Sequence, residues 1–262
     1  MKKARIDAVL ADRGLFPSRS AAAGAVRAGE VKIGRDGPVA LRPSQLVEPD
    51  ADLVVAEGPR YVSRGGIKLE NALDELGVEV SGRDCLDVGA STGGFTDCLL
   101  QRGAARVVAV DVAFGQIDAR LREDPRVQVI ERLNARELCP DDLPFVPTLA
   151  VIDVSFISLT KVLPAVKRCL EPNGEMLAMV KPQFELGRER VGRGVVRSAA
   201  DRREAILKVA DAGRELGLPV RGFASSGLPG PKGNRETFVW LGGAGPEVED
   251  FEAAVAVVEG EE

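Results

Sequence analysis

The stretch Asp84-Cys85-Leu86-Asp87-Val88-Gly89-Ala90-Ser91-Thr92-Gly93-Gly94-Phe95-Thr96-Asp97-Cys98 reads as a buried strand that runs into a glycine turn and then a helix. A turn of this kind commonly holds a nucleotide-type ligand, because glycine lets the backbone approach it closely. The next apolar strand, Val107 to Val110, ends in a carboxylate at Asp111. In a parallel sheet that carboxylate lies beside the glycine turn, where it can accept both hydroxyls of a ribose. NAD and S-adenosylmethionine both meet this description, and spacing separates them. A dinucleotide fingerprint reads G-x-G-x-x-G and brings a helix N-terminus to a pyrophosphate, whereas this loop reads Asp87-x-Gly89-x-x-x-Gly93-Gly94. An acid ahead of the turn suits a cationic ligand without phosphates, which points to S-adenosylmethionine. The bland alternative is a tight turn that binds nothing.

Working outward, strand and helix alternate from residue 67 onward, the signature of an open, mostly parallel α/β sheet covered on both faces. Expected strands are Cys85–Val88, Arg106–Val110, Val127–Ile130, Leu149–Val154, Glu175–Val180, Pro219–Ser225 and Thr237–Leu241. Expected helices are Ile67–Leu76, Gly94–Arg102, Gln116–Arg122, Leu159–Leu170 and Ala200–Leu216. Ligands of such sheets bind outside the carboxyl ends of the strands. The groups found there are Asp87, Asp111 with Val112, Asn134 with Ala135, Asp153 and Lys181. Asn134-Ala135, just past the third strand, is positioned to meet an adenine. The cofactor-binding set is therefore Asp87, Gly89, Ser91, Gly93, Gly94, Phe95, Thr96, Asp111, Val112, Asn134, Ala135 and Asp153.

Lys181 ends the fifth strand, Asp153 closes the fourth, Glu236 opens the last and Lys68 lies on the first helix. Two lysines and two acids beside a methyl donor form a candidate acid–base cluster. A ribose hydroxyl is a very weak acid, so its attack on a sulfonium methyl gains from a base or a cation that stabilises the developing alkoxide. A structural ion-pair cluster is the plain alternative.

The chain has no histidine, which excludes a Ser-His-Asp hydrolase and a histidine-based metal centre. The four cysteines, Cys85, Cys98, Cys139 and Cys169, include no C-x-x-C pair and read as reduced thiols, so no metal is expected. No apolar run approaches the ~20 residues that span a bilayer, and Asp7 interrupts the start before a signal-peptide core can form. A cytoplasmic protein with little call for membrane is expected.

Residues 245–262 carry seven acids and no base, and setting those seven charges aside turns the net charge from -5 to +2. That tail reads as solvated. Residues 1–36 hold eight Lys or Arg against four Asp or Glu, and residues 181–203 hold seven against three. Two basic zones in an acidic chain suggest a polyanionic partner. The first zone belongs to a small α+β module of two short helices and a strand pair, with Arg5, Arg19, Arg27 and Lys32 as candidate phosphate contacts. In the second, Arg188, Arg190 and Arg193 lie on a glycine-rich stretch that reads as a mobile loop. Between the modules, Ser63-Arg64-Gly65-Gly66 reads as a flexible basic linker, with Arg64 a further RNA contact that could position Lys68 when RNA binds. The expected organisation is 1–59, a linker 60–66, a second domain 67–244 and the acidic tail 245–262.

Arg5-Ile6-Asp7, Ser18-Arg19-Ser20, Ala28-Gly29-Glu30-Val31-Lys32-Ile33 and Arg42-Pro43-Ser44 resemble an S4-like RNA-binding domain. The set Lys68, Asp153, Lys181 and Glu236 resembles the catalytic tetrad of FtsJ-like ribose 2′-O-methyltransferases. With Tyr61–Gly66, Asp87–Asp97, Asp153–Ser158 and Val180–Glu185, the chain resembles the TlyA family, which joins both modules. The resemblance implies a Rossmann-like class I methyltransferase sheet of seven strands. It also implies methyl transfer to a cytidine 2′-hydroxyl in 16S RNA, 23S RNA or both, on assembled 30S or 50S subunits, with no DNA partner. A non-catalytic ribosome assembly factor would not need the tetrad or the Asp87 loop. A haemolysin, the family's historical label, would need an export signal or a membrane-seeking helix.

Overall fold

The computed structural model describes residues 3–16, 18–28, 31–35, 37–55, 60–192, 194–230 and 232–260, with residues 28 and 188 described by their backbone alone. The chain divides into two compact units, Met1–Arg60 and Tyr61–Glu262.

In the first unit, helices Ile6–Asp12 and Arg19–Ala28 accompany two antiparallel strand pairs. Ala4–Arg5 pairs with Leu46–Val47, and Val31–Ile33 pairs with Leu53–Val55. Its core is small, with Ile6, Leu10, Val26 and Val31 at the centre.

The second unit is built on one seven-stranded sheet. Its strands are β1 (Asp84–Val88), β2 (Arg106–Asp111), β3 (Val127–Glu131), β4 (Leu149–Ile152), β5 (Glu175–Val180), β6 (Val220–Ser225) and β7 (Thr237–Gly242). They lie in the order β6-β7-β5-β4-β1-β2-β3, with β7 antiparallel to both neighbours and the β1 to β5 pairings parallel. The buried positions of the central strands are apolar, Asp87 of β1 excepted, because both faces are covered. One face packs on α1 (Arg64–Leu76) and α2 (Gly94–Gln101), through Leu69, Leu73, Phe95 and Leu99. The other packs on α4 (Leu163–Cys169) and α5 (Ala199–Glu215), through Leu163, Val166, Ile206 and Val209. A single-turn helix, α3 (Ala119–Arg122), follows β2.

Several expectations are corrected. The helix expected over 116–122 is confined to α3, because the Asp118 carboxylate accepts from Arg120 N at 2.9 Å and caps it there. The one expected over 159–170 splits into a 3-10 turn, Leu159–Lys161, and α4, whose second residue is Pro164. Residues 61–66 are no flexible linker. Tyr61 is buried, Val62 N donates to Asp97 Oδ2 at 2.8 Å, and the Ser63 side chain caps a helix that already includes Arg64, Gly65 and Gly66. The tail is not merely solvated, since α6 (Phe251–Glu259) begins at the capping Asp250 and buries Val255 and Glu259. Phe251 meets Phe223 of β6 edge-on at 5.9 Å, and Arg202 of α5 pairs with Glu259 at 2.5 Å. Two short helices, Pro182–Glu185 and Arg188–Val191, occupy much of the first half of the stretch 184–197 expected as a mobile loop. No helix among the described residues is long and apolar enough to cross a membrane.

Candidate active site

The glycine turn sits at the carboxyl end of β1, between β2 and β4. Gly89 has φ 86°, and a Cβ there would come within 2.5 Å of the Asp153 carbonyl, so only glycine lets β1 and β4 end side by side. Above the turn lies a cleft of two adjoining chambers, about 410 and 1040 Å³, which share Gly89, Ser91 and Asp153 in their walls.

The larger chamber is lined by Asp111, Val112, Asn134 and Ala135, together with Ser155 and Phe156. Asp111 accepts from Ser91 N through Oδ2 and from Ala113 N through Oδ1, both at 2.7 Å. Each carboxylate oxygen keeps a further lone pair, so a fixed acceptor pair faces the chamber, as a ribose diol requires. Val112 is exposed beside it, a surface for a flat ring. These features fit the adenosine portion of S-adenosylmethionine. The smaller chamber is lined by Gly94, Phe95, Lys68 and Asp153.

Three expected ligand contacts lie outside both chambers. Asp87 is fully buried under the turn, where its Oδ2 accepts from Thr96 Oγ1 at 2.6 Å. Burial pushes its carboxyl up to about 7, against the pull of the Thr96 bond. Thr96 is buried with it. Gly93 has φ 95° and leaves room for Leu121, whose side chain a Cβ would meet at 2.3 Å. These residues shape the turn from below.

The four groups of the candidate tetrad form two ion pairs. Lys68 on α1 pairs with Glu236 at the head of β7, and both are buried. Lys181, just past β5, pairs with Asp153 at 2.5 Å and donates to Ser155 Oγ at 2.9 Å. Sheet register explains the convergence: Thr237 lies opposite Val180, which sets Glu236 beside Lys181. Lys68 and Asp153 line the same chamber.

Sequence reasoning missed the far wall of the cleft. Phe156 and Phe184 pack 5.1 Å apart, and Phe156 is 90 % exposed with φ 63°. Gln183, Lys161 and Arg136 also line the larger chamber. Phe156 and Phe184 lie within the stretches that carry the resemblance, yet no local pattern announces a left-handed aromatic.

The expected RNA contacts divide. Arg5 binds Asp7 through two bonds of 3.0 and 2.7 Å, and Arg19 adds a third at 3.5 Å, so both neutralise one buried acid. Arg27 and Lys32 are exposed. Arg64 lines the cleft and donates to the Pro229 carbonyl at 3.0 Å. Arg190 is held by Glu204 at 2.5 Å and by Asp201 at 3.5 Å. Arg193 and the Arg188 side chain lie outside the described residues.

The family model of FtsJ-like methyltransferases matches residues 61–243. Over 243 residues the chain is 49 % identical to the 16S/23S rRNA (cytidine-2′-O)-methyltransferase TlyA of Mycobacterium tuberculosis, covering 92 % of this chain and 90 % of that one. It is 42 % identical to Bacillus subtilis YqxC, provisionally named an rRNA methyltransferase, over 92 % of this chain and 86 % of that one. A solved Streptococcus thermophilus protein, provisionally named a hemolysin, matches with a TM-score of 0.72 at 38 % identity, covering 100 % of this chain and 97 % of its own. The chain therefore belongs to the TlyA family of FtsJ-like, S-adenosylmethionine-dependent methyltransferases.

Proposed function

We infer that this enzyme methylates the 2′-hydroxyl of a cytidine in ribosomal RNA, in the cytoplasm, on 16S RNA, 23S RNA or both within assembled subunits. The observation that carries this reading is Asp153, shared by both chambers of the cleft and paired with Lys181. S-adenosylmethionine, when bound, supplies an electrophilic methyl group on a sulfonium. Asp111, Val112, Asn134 and Ala135 would hold its adenosine, and Gly89, Ser91, Gly94 and Phe95 would border the rest. Lys181, fixed by Asp153 and Ser155, would meet the 2′-hydroxyl and stabilise the charge that develops on its oxygen. The Lys68–Glu236 pair supports the same region with no net charge of its own. Phe156, its exposed ring backed by the tilted ring of Phe184, offers an aromatic face against which an unstacked base can rest, the usual way single nucleotides are held. Residues 1–60, read as an S4-like module, would supply shape-dependent backbone contacts through Arg27 and Lys32.

Transfer of labelled methyl from S-adenosylmethionine to purified 30S and 50S subunits tests the reading. Lys181→Ala is expected to lower turnover by about 10²- to 10⁴-fold, the range for loss of a proton-handling group, while S-adenosylmethionine still binds in a calorimeter. Ribose label that persists at the wild-type rate in Lys181→Ala would remove Lys181 from the chemistry. Absence of label on both subunits with the wild-type protein would overturn the substrate.

A further inference from the structure

The turn after β4 holds a residue in an unfavourable conformation. Phe156 has φ 63°, in the left-handed region, with its ring 90 % exposed. That conformation is unfavourable for an L-residue with a bulky side chain, and it lasts only where the surroundings over-determine it. Two ties bracket this turn. On one side, Ser155 Oγ accepts from Lys181 Nζ at 2.9 Å. On the other, the Glu185 carboxylate accepts from Ser158 Oγ at 2.5 Å and from Leu159 N at 2.7 Å. Lys181 and Glu185 belong to one stretch, Lys181-Pro182-Gln183-Phe184-Glu185, so a single segment grips the turn at both ends and brings Phe184 to within 5.1 Å of Phe156.

Glu185 is 5 % exposed and does not line the cleft. Its burial raises its pKa while the Ser158 and Leu159 bonds oppose that rise, and Lys208 of α5 stands 4.0 Å away. A buried carboxylate is costly to keep. One that directs both oxygens to a neighbouring turn, away from the reacting groups, has its chemical use in holding that turn.

We propose that Glu185 is a positioning residue that clamps the Ser155–Leu159 turn, so that Phe156 and Phe184 stay aligned as the wall for the target base. The proposal rests on the functional reading above and adds to it the group that keeps the wall in place.

The test uses the full-length protein, 30S and 50S subunits and labelled methyl donor, with Glu185→Ala, Phe156→Ala and the double variant. Glu185→Ala is expected to lower kcat/KM for the subunit about tenfold or more, the scale of a lost alignment, with the calorimetric Kd for S-adenosylmethionine unchanged. Glu185→Gln, which keeps one acceptor oxygen, recovers part of that loss. In the Phe156→Ala background, Glu185→Ala adds nothing further, because both act through one wall. Multiplying losses in the double variant, or a weakened Kd for S-adenosylmethionine that accounts for the whole loss, would overturn the clamp. Should Glu185→Ala not fold, Ser158→Ala removes one of the two bonds with Glu185 intact. A smaller loss in the same direction supports the clamp there, and an unchanged rate overturns it. Wild-type label on a subunit together with an unaffected Glu185 variant rejects the clamp alone, whereas no wild-type label rejects the substrate reading itself.

Discussion

At the residue scale, Asp87 shows how a motif residue can support a turn from beneath it. Its place ahead of the glycine turn suggests a partner for a cation, yet it is sealed beneath the turn with Thr96 as its bonded neighbour. Burial moves its carboxyl from 3.8 to about 7, and the carboxylates of Asp153 and Asp111 push in the same direction. The folded chain therefore holds this proton more tightly than the unfolded chain does. The resulting stability is fully present below pH 3.8 and is lost as pH rises through about 7. At about 1.4 kcal/mol for each tenfold change in proton affinity, the ionised form is penalised by roughly 4 kcal/mol. Asp87→Asn keeps an acceptor for Thr96 and carries no charge. Urea unfolding of the ligand-free protein should find the variant gaining on the wild type by up to that amount between pH 4.5 and pH 8. Parallel stability curves for the two proteins would show that Asp87 does not titrate across this window.

At the element scale, conformational freedom accounts for glycine at the first turn and does not account for it at the start of α1. At Gly89 the positive φ requires it. At Gly66 the reason is space, since a Cβ would come within 2.2 Å of the Tyr61 ring, and at Gly94 it would meet Ser63 Oγ at 2.1 Å. Close packing leaves no local signature, so two adjacent glycines looked like a hinge. The same limit hid Arg5 and Arg19, whose charge is taken up by a buried Asp7 that only the fold reveals. In the tail, the count of acids masked an apolar set, Val248, Phe251, Val255 and Val258, which packs toward the sheet. Counting charge by segment misses which face of a helix carries it. The Arg202–Glu259 pair anchors α6, with side chains only 10 % and 2 % exposed. Glu259→Ala strands a buried guanidinium and should cost about 3–5 kcal/mol, whereas replacing both partners with apolar residues recovers most of that. Thermal unfolding of the single and double variants checks it, and a single variant as stable as the wild type would mean α6 is not anchored there.

At the scale of the whole molecule, alternating strand and helix patterns were enough to expect seven strands and two covered faces, because buried parallel strands are short apolar runs with little ambiguity. Where the tetrad converges was harder to read, since Lys68 and Glu236 are far apart in sequence and meet only through the reversed strand β7. Charge has the same character. Of the eight named RNA contacts, Arg5, Arg19 and Arg190 hold acids of their own chain, whereas Arg27 and Lys32 stand exposed, with no acidic partner among the described residues. If residues 1–60 track phosphates, those two side chains displace counterions and the salt dependence of RNA binding reports it. Removing each contact should lower the slope of log K against log salt by about 0.7 to 0.9. Arg27→Ala with Lys32→Ala should thus reduce the slope for subunit binding by about 1.4 to 1.8 while S-adenosylmethionine affinity holds constant. Arg190→Ala gives the contrast, because a guanidinium already shared with Glu204 and Asp201 has little charge to offer a phosphate. Equal slope changes for Arg190→Ala and for the Arg27 and Lys32 substitutions would mean that the ion pairs within the chain open when RNA binds. An unchanged slope in the Arg27 and Lys32 variant would move the RNA-binding face of this unit elsewhere.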